Sequence, residues 1–206
     1  MTELLIKGKC YNKLPVEYLH RVLNYEGGMT SAKMQKMEGF KTNRGITEPA
    51  LSAAKQKGIV SNSVTIESLT TDLESVRKIY EVNYYLKSNA DKLPHPLAFA
   101  YFDIAVNGGV GRAILLLQET INSFSTKPIA VDGGFGPNTL SAFNSVIAKV
   151  GIDKFVNNYN ALRGAFYKNL TDKSIAKKPD EKDYYNTRMK AWTSRLNSTI
   201  KYTEMC

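Results

Sequence analysis

Hydrophobic residues make up 43% of this 206-residue chain, enough for one substantial core or two small ones and too many for a disordered protein. Its 28 basic residues outnumber 19 acidic ones, and the resulting net charge of +9 favours polyanionic partners. No arginine-rich run, zinc-ligand spacing or RNA-binding aromatic signature accompanies the charge, so it does not select nucleic acid.

Near the N-terminus, Leu4, Leu5 and Ile6 form an apolar run too short for a signal sequence or a membrane span. The expectation is a protein made in the cytoplasm, without an integral membrane segment, that reaches its site of action by another factor's help. Cys10 and Cys206 lie near opposite ends of the chain and far from any CxxC or Cys/His spacing. That excludes a structural zinc site; the two could pair if the termini meet, but free thiols are expected, with no metal and no cofactor.

The first helix is expected from Val16 to Glu26, opening at Pro15. Val16, Leu19, Val22 and Leu23 recur at helical spacing, and the next position on that face is Glu26. A carboxylate therefore stands where a hydrophobe belongs, and Gly27 and Gly28 stop the helix directly behind it. Burial there would penalise the charged form and let Glu26 hold a proton near neutral pH, although a solvated helix end has the same sequence. Residues 27–47 read as an irregular or short-strand segment. Thr71-Asp72-Leu73-Glu74 reads as a capping box, with Leu73, Val76, Ile79 or Tyr80, and Tyr84 on the apolar face behind it.

Pro94 and Pro96 mark a turn, and the nearly continuous apolar stretch from Leu97 to Val106 predicts a buried central helix, broken by Gly108, Gly109 and Gly111. Val110, Ile114, Leu117 and Ile121 stripe the next helix. In the segment from Asp132 to Thr139, Asp132 can bond backbone amides, the three glycines tolerate left-handed geometry, and Pro137 suits a first helical turn. Leu140, Phe143 and Ile147 carry that helix to Gly151. The charged stretch from Thr171 to Asp183 reads as an exposed connection, after which Met189, Trp192 and Leu196 dock a last helix. With no sustained strand alternation and no internal repeat, the fold class is mainly α with a small irregular or β insertion.

Several of these motifs, in this order, resemble glycoside hydrolase family 108, the phage and bacterial N-acetylmuramidases with an EGG and a TNxGIT motif. Glu26-Gly27-Gly28 matches the first and Thr42-Asn43-Arg44-Gly45-Ile46-Thr47 the second. Leu69-Thr70, Tyr80, Tyr84-Tyr85 and Leu93-Pro94 follow, then Phe102-Asp103-Ile104-Ala105-Val106-Asn107-Gly108, which is similar to an FDxAVNxG segment. Leu117-Gln118, the run from Val131 to Leu140, and Ala191 to Leu196 look like the peptidoglycan-binding half that accompanies the family's catalytic half. The resemblance implies a lysozyme-like catalytic segment over residues 11–92 and a helical peptidoglycan-binding-like segment over 93–206, packed into one globule and expected to be a monomer. It implies peptidoglycan as partner, whose peptide carboxylates suit the basic surface, and action on the wall as a phage endolysin or a virion component.

Glycosidic cleavage needs an acid for the leaving oxygen and a second group, usually a carboxylate, across the sugar. The resemblance assigns the acid to Glu26, with Gly27 and Gly28 leaving room for substrate. Where the family carries Asp-Pro-Gly-Gly, this chain has Lys36-Met37-Glu38-Gly39-Phe40 in a slightly longer stretch, and Met29 replaces a usual aromatic residue. Glu38 is the candidate for the second acid, or that acid is absent. Thr42 is the candidate to hold the attacking water, and Asn43 either contacts substrate or braces the turn. Tyr101, Asp103 and Asn107 are further substrate-contact candidates, the last two one turn apart and costly inside an apolar helix unless hydrogen-bonded. His20 and His95 belong to no recognisable constellation. A muramidase leads; the alternatives are a lytic transglycosylase and a non-catalytic wall-binding or virion protein.

Overall fold

The structure is a computed structural model that describes residues 5–6, 9–10 and 13–205. It divides into two compact units, Met1–Lys87 and Ser88–Cys206. Both are mainly helical. Cys206 lies outside the described residues, and with it the question of a pairing to Cys10.

In the first unit, two-residue strands β1 (Leu5–Ile6) and β2 (Lys9–Cys10) pair antiparallel. Helix α1 spans Val16–Glu26 and buries Tyr18, Leu19, Val22 and Leu23, as the stripe requires. Val16, the first residue of the helix, is instead 56% exposed. Residues 27–47 are more regular than expected. Ser31 caps α2 (Ala32–Glu38) by accepting the Met34 N–H, and Gly39 closes it in the left-handed conformation. Strands β3 (Thr42–Asn43) and β4 (Ile46–Thr47) then form a hairpin, and Thr47 caps α3 (Glu48–Gln56).

Helix α4 (Leu73–Tyr80) starts one residue later than the capping-box reading. Asp72 is the cap and accepts the Ser75 N–H, which leaves Leu73 39% exposed. Val76, Ile79 and Tyr80 are buried. The chain continues in a wide π-helical turn, Glu81–Leu86. Glu81 is fully buried there; its Oε2 accepts the Leu14 N–H at 3.0 Å and Arg77 Nη1 at 3.1 Å.

The second unit is organised around α5 (Leu97–Gly108), in which every residue from Leu97 to Ala105 is buried. Gly109, at φ 92°, turns the chain into α6 (Val110–Phe124), so Gly111 lies inside that helix and does not help to break α5. The loop before α7 (Pro137–Val150) is pinned from α6 by buried Gln118. Gln118 Nε2 donates to Asp132 Oδ1 and the Gly134 carbonyl, and its Oε1 accepts the N–H groups of Asp132 and Gly133. The bond from Gln118, then that from the Gly134 N–H, holds the Asp132 carboxyl below its ordinary range. Only Gly133 of the loop glycines is left-handed.

Helix α8 runs from Ile152 to Lys177, through much of the stretch read as a connection; the link to α9 (Lys182–Glu204) is a short 3₁₀ turn at Pro179–Glu181. Asp103 ties three helices together. It pairs with Arg163 of α8 and, at 2.9 Å, with Arg195 of α9, where Thr199 adds a hydroxyl. Burial works against the Arg163 charge, but Asp103 and Tyr167 hold that guanidinium above its usual value. Among the described residues no helix is long and apolar enough to cross a membrane.

Arg163 is 0% and Asp103 2% exposed, so removing the negative charge strands two buried cations. Asp103→Asn is expected to lower unfolding stability by about 3–5 kcal/mol, measured by urea denaturation. A loss within experimental error would refute the role given to this cluster.

Candidate active site

Glu26 ends α1 partly buried, with Gly27 at φ 70° turning the chain away. A side chain built on Gly27 or Gly28 would meet nothing within 4 Å, so the backbone behind the carboxyl is open. On its other side the carboxyl faces the tip of the β3–β4 hairpin. Arg44 and Gly45 form that two-residue tip, both with positive φ, 49° and 72°, as the twist of such a hairpin demands. A Cβ at Gly45 would lie 2.9 Å from Glu26 Oε2 and 2.7 Å from the Tyr80 hydroxyl. Glycine is required twice here, by conformation and by space.

The arginine pays for its left-handed geometry with anchors. Its Nε donates to the Leu69 carbonyl at 3.0 Å, its Nη2 to the Thr70 carbonyl at 2.7 Å, and its own carbonyl accepts the Tyr80 hydroxyl at 2.8 Å. Asn43, 1% exposed, reinforces the tie by donating to the Ile66 carbonyl and Thr70 Oγ1. The bracing role is thus visible for Asn43, whose amide nitrogen is engaged inside the fold.

Tyr84 stands near the carboxyl, its ring 5.4 Å from that of Tyr80. Burial first, and the Glu26 charge second, push the Tyr84 phenol above its ordinary value, so it stays a neutral hydroxyl. Tyr80 and Tyr84 stand in the sequence motifs, but nothing in their spacing gives them a place in the site. The contact of Gly45 with Glu26 is equally hidden in the sequence, because no spacing links a helix end to a hairpin tip.

Thr42 is partly buried, and three hydrogen bonds fix its backbone to Thr30: N–H to Oγ1, and its carbonyl from both the N–H and Oγ1 of Thr30. Its own hydroxyl makes no hydrogen bond among the described residues and is available to a ligand. Glu38 is exposed at the C-terminal end of α2.

The substrate-contact candidates of the second unit have a different setting. Tyr101 is 0% exposed and donates to the Ser88 carbonyl at 2.8 Å, and burial pushes its phenol far up. Asp103 is enclosed by its two arginines, and Asn107 donates to the Tyr167 hydroxyl, which also receives Arg163 Nε. Asp103 and Asn107 do share a face, but it meets α8. The readings of Tyr101 and Asp103 as ligand contacts give way to roles inside the unit, since neither offers accessible surface. Among the described residues no group of three or more His, Cys, Asp or Glu side chains is placed to hold a metal ion.

Residues 19–109 match the family model Glycosyl hydrolase 108, with Glu26, the hairpin and both tyrosines inside the matched segment. Residues 19–109 are a family 108 glycoside hydrolase domain. Residues 112–197 of the hydrolase match a second model, described as a Predicted Peptidoglycan domain. A solved structure described as Brucella abortus SagA is similar over 89% of this chain and 94% of that one, with 28% identity and a TM-score of 0.58. No curated protein sequence matches the hydrolase. The two matched segments together make it a peptidoglycan hydrolase acting on the cell wall.

Gly45→Ala in this hydrolase is expected to cost about 1–2 kcal/mol of stability from the left-handed backbone. The displaced carboxyl should lower kcat by about a hundredfold. Turbidity loss of purified walls beside a thermal melt separates the two effects, and full activity in a folded variant would show that the close approach is immaterial.

Proposed function

We propose that the protein is an N-acetylmuramidase that cleaves the β-1,4 bond between N-acetylmuramic acid and N-acetylglucosamine, with Glu26 as general acid. The observation that carries the reading is the setting of Glu26: a partly buried carboxyl held against Gly45, with an open glycine pair behind it and neutral Tyr84 nearby. In this reading Glu26 gives its proton to the glycosidic oxygen as the bond from that oxygen to the anomeric carbon breaks. Water adds to the carbon and surrenders a proton to base. The Thr42 hydroxyl, on a backbone locked by Thr30, suits a water-holding role on the far side. Glu38, exposed at the end of α2, is the candidate base that takes the water's proton. The second segment holds the wall polymer while the first cuts it. Wall lysis of the endolysin kind is the setting we propose, and the basic surface suits an anionic polymer.

Glu26→Gln keeps the shape of the side chain and removes its proton. Release of reducing ends from peptidoglycan is expected to fall by about 10²–10⁴-fold, and retention of lytic activity would overturn the assignment. Mass spectrometry of wild-type products should show ordinary reducing ends; anhydro ends would mark a transglycosylase instead.

In the same assay Glu38→Gln tests the second carboxylate. A loss of about tenfold or more is the result expected of a group that helps activate water; unchanged rates would remove Glu38 from the mechanism.

A further inference from the structure

On the second unit, α6 and α8 border a groove of about 370 Å³. Leu162, Phe166 and Leu170 recur every fourth residue of α8 and form an apolar row along it. Leu170 remains 38% exposed, an apolar surface that the unit itself does not cover. Arg112, from the first turn of α6, lies over the Phe166 ring with its guanidinium carbon 4.3 Å from the centroid. It is partly buried and makes no hydrogen bond or ion pair among the described residues. Lys173 provides a second cation in the lining, and Glu119 the one carboxylate.

This arrangement selects among ligand chemistries. A sugar ring would need a bare aromatic face, and Arg112 occupies one face of Phe166. The contact instead holds the guanidinium against the ring, and its N–H donors, unpaired within the described residues, suit a planar anion such as a carboxylate. Beside it the apolar row suits small aliphatic side chains. A short peptide with small side chains and a free carboxylate satisfies both demands, and peptidoglycan carries such peptides along its glycan strands. Every lining residue falls within residues 112–197, the segment matched as a Predicted Peptidoglycan domain.

We infer that the α6–α8 groove binds the carboxylate-bearing stem peptide of peptidoglycan, with Arg112 on the carboxylate and Phe166 and Leu170 beneath the peptide's side chains. The inference rests on the reading of the chain as a wall hydrolase, and it places wall recognition on the peptide while the chemistry acts on the glycan.

The test uses the full chain carrying Glu26→Gln, so that binding is measured without turnover. Sedimentation with purified peptidoglycan, freed of accessory anionic polymers, is compared with glycan strands from which the peptides have been removed by an amidase. Binding is expected to fall about tenfold or more on the stripped strands. Adding Arg112→Gln or Lys173→Gln should weaken binding to intact peptidoglycan about tenfold and severalfold respectively, at unchanged melting temperature. Phe166→Ala is a third variant, read only if it melts like its parent. Equal binding to stripped strands, binding only to accessory phosphate polymers, or full binding by Arg112→Gln would each overturn the inference. Because cleavage is scored separately on the chain with Glu26 intact, failure of this site and failure of the catalytic reading give different results.

Discussion

The carboxyl of Glu26 and the backbone of Gly45 approach so closely that one added carbon at position 45 would overlap both Glu26 and Tyr80. Much of the first unit is arranged around that approach. The hairpin tip must be left-handed at two successive residues, one of them an arginine whose conformation is costly by itself. Arg44 stays there because carbonyls at residues 69 and 70 hold its guanidinium and Tyr80 holds its carbonyl. Tyr80 thus serves two partners, bracing the strained turn and walling the carboxyl. The role proposed for Glu26, that of a general acid, calls for surroundings that do not move, and these contacts supply that stiffness from the fold itself.

The second unit meets the same problem with different materials. Its central helix is apolar almost throughout, yet carries Asp103 at its midst, and the cost of burying that charge is offset only because two arginines converge on it from separate helices. The cluster fixes which faces of α8 and α9 meet α5. Gln118 does for the Asp132 loop what Asp103 does for the helices, satisfying two N–H groups and a carbonyl with one amide.

The sequence made some of this legible and hid the rest for physical reasons. Helix α1 and its terminal carboxylate could be read because Leu19, Val22 and Leu23 mark the buried face and two glycines mark its end. The Asp132 turn and the Pro137 helix start were likewise local chemistry. Helix α8 escaped notice because its buried face includes Asn160, Arg163 and Thr171, which interrupt the apolar period that announces a helix. Helix α2 escaped because it is short and exposed, specified by the Ser31 and Gly39 caps more than by a stripe. Asp103 in α5 stays ambiguous in the sequence for a related reason: a polar residue in an apolar helix signals a partner, but not whether that partner is a ligand or another helix. Only the arginines on α8 and α9 decide it.

The hydrogen bonds that hold the hairpin tip join residues 25, 26 and 36 positions apart in the chain. The setting of Glu26 therefore has no local existence, and no short fragment spanning the glutamate and the two glycines could reproduce it. An opening that frees residues 66–70 dissolves the centre even while the first helix survives. For an enzyme that destroys the wall of a cell, this means that an incompletely folded chain is a harmless one.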